Sequence, residues 1–258
     1  CTTNMVLEIK AEHLTVKVYS DREGMGQAAA QEVARRMVEA IEGTGKASVL
    51  FAAAPSQNDF LYALIEHKEI DWTRVFCFQL DDYHTLPLDA PQRFDNWLDS
   101  HLMSKVKPAA FFRLAPEEGM PVEEIAKRYG ELLEQYPVDV SCIGIGENAH
   151  IAFNDPPVAD FDDTLLVKEV IMDEICRNQQ VHDGAFPHID AVPRTAMTMT
   201  IPAIVAAPHV SCVVPTALKA KAIYNTVHTP VSTDVPASIL RRIPGSVMYV
   251  DADGASLL

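Results

Sequence analysis

The sequence predicts an α/β protein of three layers, a mostly parallel sheet with helices on both faces, Rossmann-like in kind. Two observations carry this. Short apolar, β-branched runs alternate with longer amphipathic ones, the order that builds a parallel sheet covered on both sides. The run Val138, Val140, Cys142, Ile143, Ile145 also has the length and branching of a buried strand. It stops among Gly144 and Gly146, where a backbone turns sharply and comes close to a ligand. The length agrees: 258 residues, 48% of them hydrophobic, suffice for one large domain of this class. No internal repeat, low-complexity tract or Pro/Gly-rich linker divides residues 1–258, so they read as a single domain.

Leu14 to Tyr19 alternates as a short strand. Ser20 or Asp21 then caps a helix to about Glu42, with Ala29, Val33, Met37 and Ile41 on one face, and Gly43 and Gly45 end it. A strand at Ala47 to Ala54 leads through Pro55-Ser56-Gln57-Asn58-Asp59 into a second helix carrying Phe60, Leu61, Leu64 and Ile65. Arg74 to Leu80 is a third strand, ending in Asp81-Asp82-Tyr83. Phe94 to Leu102 and Val122 to Gln135 read as helices, the latter with Ile125, Leu132 and Leu133 facing inward. After the glycine-terminated strand, Thr195 to Ile201 and Val210 to Val214 are further strands, Pro215 to Thr226 a helix and Ser246 to Val250 a last strand. Residues 154–193 show poor periodicity and are expected to form a lid or active-site cover.

Composition narrows the function. A formal charge of −15 lacks the basic stripe that phosphate backbones need, which excludes nucleic acid as partner. A small phosphorylated metabolite remains compatible, since it needs only a few local donors. No run of about 18 apolar residues exists to cross a membrane, and Cys1 to Lys10 lacks the basic-then-apolar pattern of a secretory leader. The five cysteines are scattered. Cys77, Cys142 and Cys212 sit inside apolar runs as small hydrophobes. No Cys-x-x-Cys, His-Glu-x-x-His or other metal-ligand spacing appears. The expectation is a reduced, cytoplasmic protein without metal. A nucleotide-binding module fits poorly, because Gly144-Ile145-Gly146 lacks the third glycine of the dinucleotide fingerprint.

Polar clusters stand at four strand ends: Ser56 to Asp59, Asp81-Asp82-Tyr83, Glu147 to Asp155, and Pro215 to Lys219. Loops at the carboxyl edge of one parallel sheet converge, which makes one candidate pocket of four ordinary turns. Each cluster also has a plainer reading. Asp81-Asp82 can be a turn or helix cap, His150 a hydrogen-bonded structural histidine, and Lys219 a solvated helix residue.

The segments Phe78-Gln79-Leu80-Asp81-Asp82-Tyr83-His84-Thr85-Leu86-Pro87 and Gly144-Ile145-Gly146-Glu147-Asn148-Ala149-His150-Ile151-Ala152-Phe153-Asn154-Asp155-Pro156 resemble the two signature segments of the glucosamine-6-phosphate deaminase (isomerase) family. That family is related to the 6-phosphogluconolactonases. The similarity runs on through Lys219-Ala220-Lys221-Ala222. The lactonases usually turn to a Thr-x-Ser-Leu-Phe-Pro type after the histidine, which this chain lacks. The resemblance implies the deaminase/isomerase topology and conversion of glucosamine 6-phosphate, or a close epimer, to the ketose 6-phosphate plus ammonia, with no cofactor. It gives His150 the ring-opening proton shuttle, Asp81 the C2-to-C1 proton transfer, and Asp155 the place of a glutamate that orients the histidine. Tyr83 and Asp82 would line the same wall, and Lys219 would face the phosphate. Some members form hexamers, so a homo-oligomer is compatible and the oligomeric state stays open.

Three departures accompany it. Asn148 stands where the family has an aspartate that polarises the histidine, and Ala149 replaces a glycine, so a positive φ there carries strain. The phosphate loop reads Phe51-Ala52-Ala53-Ala54-Pro55-Ser56-Gln57-Asn58, leaving Ser56, Gln57 and Asn58 as donors. The family's phosphate arginine falls near His182, which makes Arg177 the expected nearby cation. Lactone hydrolysis and non-catalytic sugar-phosphate sensing are the alternatives.

Overall fold

A computed structural model describes residues 4–258; the first three residues, which include Cys1 and the start of the leader reading, lie outside it. The strands are β1 (Met5–Ala11), β2 (Leu14–Tyr19), β3 (Ala47–Phe51), β4 (Val75–Gln79), β5 (Asp81–Asp82), β6 (Ala110–Phe112), β7 (Val140–Ile143), β8 (Val167–Ile171), β9 (Thr195–Met199), β10 (His209–Val214) and β11 (Ser246–Asp251). The helices are α1 (Arg22–Thr44), α2 (Asn58–Ile65), α3 (Phe94–Leu98), α4 (Ser104–Val106), α5 (Val122–Gln135), α6 (Glu174–His182), α7 (Ile201–Val205) and α8 (Ala220–His228). A π-helical turn, Asp99–Met103, joins α3 to α4, so the expected helix at Phe94 to Leu102 continues to Val106.

The large sheet runs in the order β1-β2-β11-β10-β7-β3-β4-β6 and is parallel throughout except at its edge, where β1 pairs antiparallel with β2. The strand pleat sends alternate residues to opposite faces. Leu50 of β3 packs with Tyr129 of α5, Ile204 of α7 and Ile223 of α8. Its neighbours Val49 and Phe51 pack with Val33 and Met37 of α1 and Phe60 and Leu64 of α2. Three layers result, as the alternation of elements predicts.

Local chemistry sets the element ends. The carboxylate of Asp21 accepts from the N–H of Gly24 at 2.7 Å, so Asp21 and not Ser20 is the cap of α1. Gly45, at φ 87°, returns its N–H to the carbonyl of Ile41 and closes the helix; Gly43 is still inside it. Pro215 to Thr226 is helical only from Ala217, as a 3-10 turn to Lys219 and then α8.

A small second sheet, β5-β9-β8, is antiparallel. With α6 it encloses a third apolar cluster around Tyr83, Phe94, Phe153, Cys176 and Phe186. The segment 154–193 is therefore built of a strand, a helix and packed turns, and its irregular pattern does not mean irregular structure.

Candidate active site

The chain leaves β3 toward β4 and β6, and leaves β7 toward β10 and β11. Connections that diverge in this way open a crevice at the carboxyl ends of the central strands. A cavity lies there. Ser56 and Gln57 beyond β3, Asp81 beyond β4, and Gly144, Gly146 and His150 beyond β7 line it, with Gln180 of α6 opposite. Asp81 and His150 thus face one cavity from the ends of two different strands.

His150 is only 5% exposed. Its Nδ1 lies 2.5 Å from Oδ1 of Asn148, and its backbone N–H donates to the same oxygen at 3.1 Å. The amide nitrogen of Asn148 donates to Oδ2 of Asp173 at 3.0 Å, which fixes the orientation of the amide. An amide oxygen only accepts, so Nδ1 carries the proton and Nε2 keeps its lone pair. Burial, helped by the positive charge of Lys219, pushes the imidazole down to about 3, so it is neutral at neutral pH. The ring needs Gly146: a Cβ built there would stand 1.8 Å from Cε1 of His150. Ala149 adopts φ 63° and Ala152 φ 54°, so the strain foreseen at Ala149 is present.

Asp155 lies fully buried behind the imidazole, its Oδ1 3.4 Å from Nδ1 and its Oδ2 accepting the N–H of Asp173 at 3.1 Å. Burial lifts it to about 7, partly offset by that N–H. Asp81 is raised well above the ordinary carboxylate range by burial first and then by the charges of Asp82 and Asp155. A carboxyl so placed is a stronger base once ionised, which suits abstraction of a carbon-bound proton.

Other expected residues are placed differently. Asp82 does not reach the cavity: its Oδ1 accepts from the N–H groups of Tyr83 and Phe94, and its Oδ2 from Gln79 and the N–H of Asp95. The pleat turns it away from Asp81, and it pins the loop. Tyr83 is fully buried among Phe94, Phe153 and Phe186, so it backs the wall without lining it. Arg177 donates to the carbonyls of Ile189 and Val192 and so holds the turn that follows α6, and it does not line the cavity. Asn58 opens α2 and does not line the cavity.

Ser56 and Gln57 do line it, Gln57 being held by Ser56 and by the carbonyl of Val213. Lys219 is 5% exposed and donates to the carbonyl of Ile145, which lines the same cavity. Burial lowers its pKa, opposed by the charges of Asp183 and Glu147. Sequence reasoning missed Gln179, Gln180 and Asp183, which close the far side of the cavity. It also missed Cys176, whose Sγ is 3.7 Å from Nε2 of His150. The polar run Arg177-Asn178-Gln179-Gln180 was the available signal, since Arg177, Gln179 and Gln180 are buried on α6.

Comparison with known proteins gives the family and the fold. A family model described as glucosamine-6-phosphate isomerases/6-phosphogluconolactonase matches residues 20–249. Glucosamine-6-phosphate deaminase of Lactobacillus delbrueckii subsp. bulgaricus is 34% identical over 212 residues, 82% of this chain and 88% of the relative. The Listeria welshimeri deaminase is 32% identical over 215 residues, 83% and 89% of the two chains. Among solved structures, a monomeric glucosamine-6-phosphate deaminase superposes with a TM-score of 0.84 at 24% identity, covering 94% of this chain and 99% of that one. The 6-phosphogluconolactonase of Thermotoga maritima gives 0.73 at 18% identity, covering 92% and 99%. At these identities the two structures speak to the fold. No helix among the described residues is long and apolar enough to cross a membrane.

Proposed function

The chain belongs to the glucosamine-6-phosphate isomerase/6-phosphogluconolactonase family, and on that premise we propose that it is an amino-sugar-phosphate isomerase/deaminase acting on glucosamine 6-phosphate or a close epimer. The single observation that carries this reading is the shared cavity of Asp81 and His150. The sugar binds as a ring. Nε2 of His150 takes the proton of the anomeric hydroxyl and returns it to the ring oxygen, and the bond from C1 to that oxygen breaks. The carboxylate of Asp81 then removes the proton from C2 of the open aldehyde and delivers it to C1, while a proton of the C2 ammonium passes to O1. The resulting imine at C2 takes up water and leaves a ketose phosphate and ammonia.

The acidic character of the cavity supports an amino sugar over a lactone. Asp81 lines it, with Asp155 close behind, and each raises the proton affinity of its neighbours. An ammonium group on C2 relieves that repulsion, and a lactone has no cation to offer. Ser56 and Gln57 supply donors for the phosphate, and Lys219, held on the carbonyl of Ile145 behind the wall, supplies positive charge. A reducing, cytoplasmic setting fits the free thiols of Cys77, Cys142, Cys176 and Cys212.

The test is incubation of the purified protein with glucosamine 6-phosphate, galactosamine 6-phosphate and 6-phosphogluconolactone, following ammonia and acid. Ammonia release that Asp81→Asn abolishes is the expected result. Acid release from the lactone that is insensitive to Asp81→Asn would replace the reading with a lactonase. Binding without turnover of any of the three would replace it with a sensor.

A further inference from the structure

Cys176, His150 and Asp155 are five and twenty-one positions apart in sequence, yet the fold gathers one donor atom from each to within 4.8 Å of the others. All three side chains are buried. Sγ of Cys176 faces Nε2 of His150 at 3.7 Å. The donors of a tetrahedral zinc ion, bound at about 2.0–2.3 Å, stand roughly 3.3–3.7 Å apart, so the pair needs little movement to share an ion.

Two further observations point to a cation. Oδ1 of Asp155, on a fully buried side chain, has no hydrogen-bond partner; it lies 3.4 Å from Nδ1 of His150 and within the 4.8 Å that separates the three donors, so its carboxylate must turn toward the thiol to complete the site. A desolvated carboxylate oxygen in that state is what a cation satisfies. Asn148 also holds the proton of the imidazole on Nδ1, so Nε2 presents its lone pair toward the thiol. An imidazole oriented by a hydrogen bond at its other nitrogen is the form that binds metals.

We propose that Cys176, His150 and Asp155 form a binding site for a thiophilic divalent cation of the zinc class, and that its occupation takes Nε2 of His150 away from the sugar and silences the enzyme. The thiol loses its proton to solvent as the sulfur–metal bond forms; no electron moves. Three protein donors leave a tetrahedral ion one position for water. Soft thiolate with imidazole selects this class of ion over magnesium or calcium. The silencing rests on the role given to His150 above; the binding does not.

The probe is cobalt(II) added to the chelator-treated full chain, read by its thiolate charge-transfer absorption, with zinc(II) as competitor. One equivalent of cobalt should give the band, zinc should erase it, and Cys176→Ser should lack it. Zinc should inhibit ammonia release from glucosamine 6-phosphate, with Cys176→Ser at least about tenfold less sensitive by the ordinary worth of one ligand in a site of this kind. If Cys176→Ser is unfolded by circular dichroism, His150→Gln serves instead; it keeps every thiol and should lose the band. No band in the wild type, or an undiminished band in a folded variant, overturns the site. A band without ammonia release from any amino-sugar phosphate would leave the site standing and end the functional reading.

Discussion

Asn148 and His150 are joined twice through one oxygen: Oδ1 of Asn148 accepts both the backbone N–H and Nδ1–H of His150. The amide is neutral, so the group hydrogen-bonded to Nδ1 brings no charge to hold a second proton on the buried imidazole. Asn148→Asp should raise the histidine from about 3 toward its ordinary range, read from the imidazole nitrogen resonances during a pH titration. It should also cost about 1–3 kcal/mol of stability, because Asp173 loses a donor and gains a like charge.

Asp81→Asn keeps the shape of the carboxyl and removes the base. Ammonia release should fall by roughly 10²–10⁴-fold, the worth of a positioned base, with little change in sugar-phosphate binding measured calorimetrically. In the wild type kcat/KM should rise with pH through an apparent pKa well above that of an ordinary aspartate, since Asp81 must be ionised to act. That value belongs to the coupled carboxyls Asp81, Asp82 and Asp155 together.

Asp155 has a raised pKa of about 7 against 3.8 for the exposed group. Its proton is therefore held more tightly in the folded chain, and the stability this gives is complete below about pH 4 and lost as pH rises through about 7. The loss is on the order of 4 kcal/mol. Asp155→Asn removes the dependence. Denaturant titrations should find variant and wild type comparable at pH 4 and the variant more stable at pH 8.

Gly146→Ala places a methyl group where the imidazole lies. The ring must swing away, and misplacement of this size costs on the order of 10²-fold in turnover. The fold should persist, because the displaced ring borders a cavity that can receive it. Circular dichroism and ammonia release distinguish this from unfolding.

Arg177 tests the corrected assignment of the anion site. Arg177→Met should lower stability by about 1–3 kcal/mol, leaving the buried carbonyl of Val192 and the half-buried one of Ile189 without this donor. It should leave KM for the sugar phosphate within about twofold, because the guanidinium serves Ile189 and Val192. Lys219→Met should raise that KM at least about tenfold by removing a charge-assisted contact.

The sheet and its helices were legible because their burial follows simple periods. β3 is buried at every position, as a parallel strand covered on both faces must be, and α5 begins and ends where its apolar spacing does. α6 escaped because it buries Arg177, Gln179 and Gln180 together with Cys176, which inverts the apolar pattern that reveals a helix. β6 spans only Ala110–Phe112, too short to show a period, and β1 is an edge strand with exposed Met5, Val6 and Leu7. Asp81 and Asp82 are identical in type and adjacent, and only their pairing with Thr198 and Met197 decides which one turns to the cavity. The contact of Cys176 with His150 joins residues far apart in the chain and left no local trace.

Asp82 gathers amide hydrogens from both ends of the excursion between Tyr83 and Phe94, and so ties that excursion into a closed loop at its base. Its returning arm, through Pro91 and Gln92, borders a second hollow beside the first. The knot isolates the reacting carboxylate from whatever the tip carries. Asn96 and Arg93 fasten the carbonyls of Leu88, Ala90 and Leu86 from outside that ring of bonds, so a change of sequence there meets its own anchors before it meets Asp81.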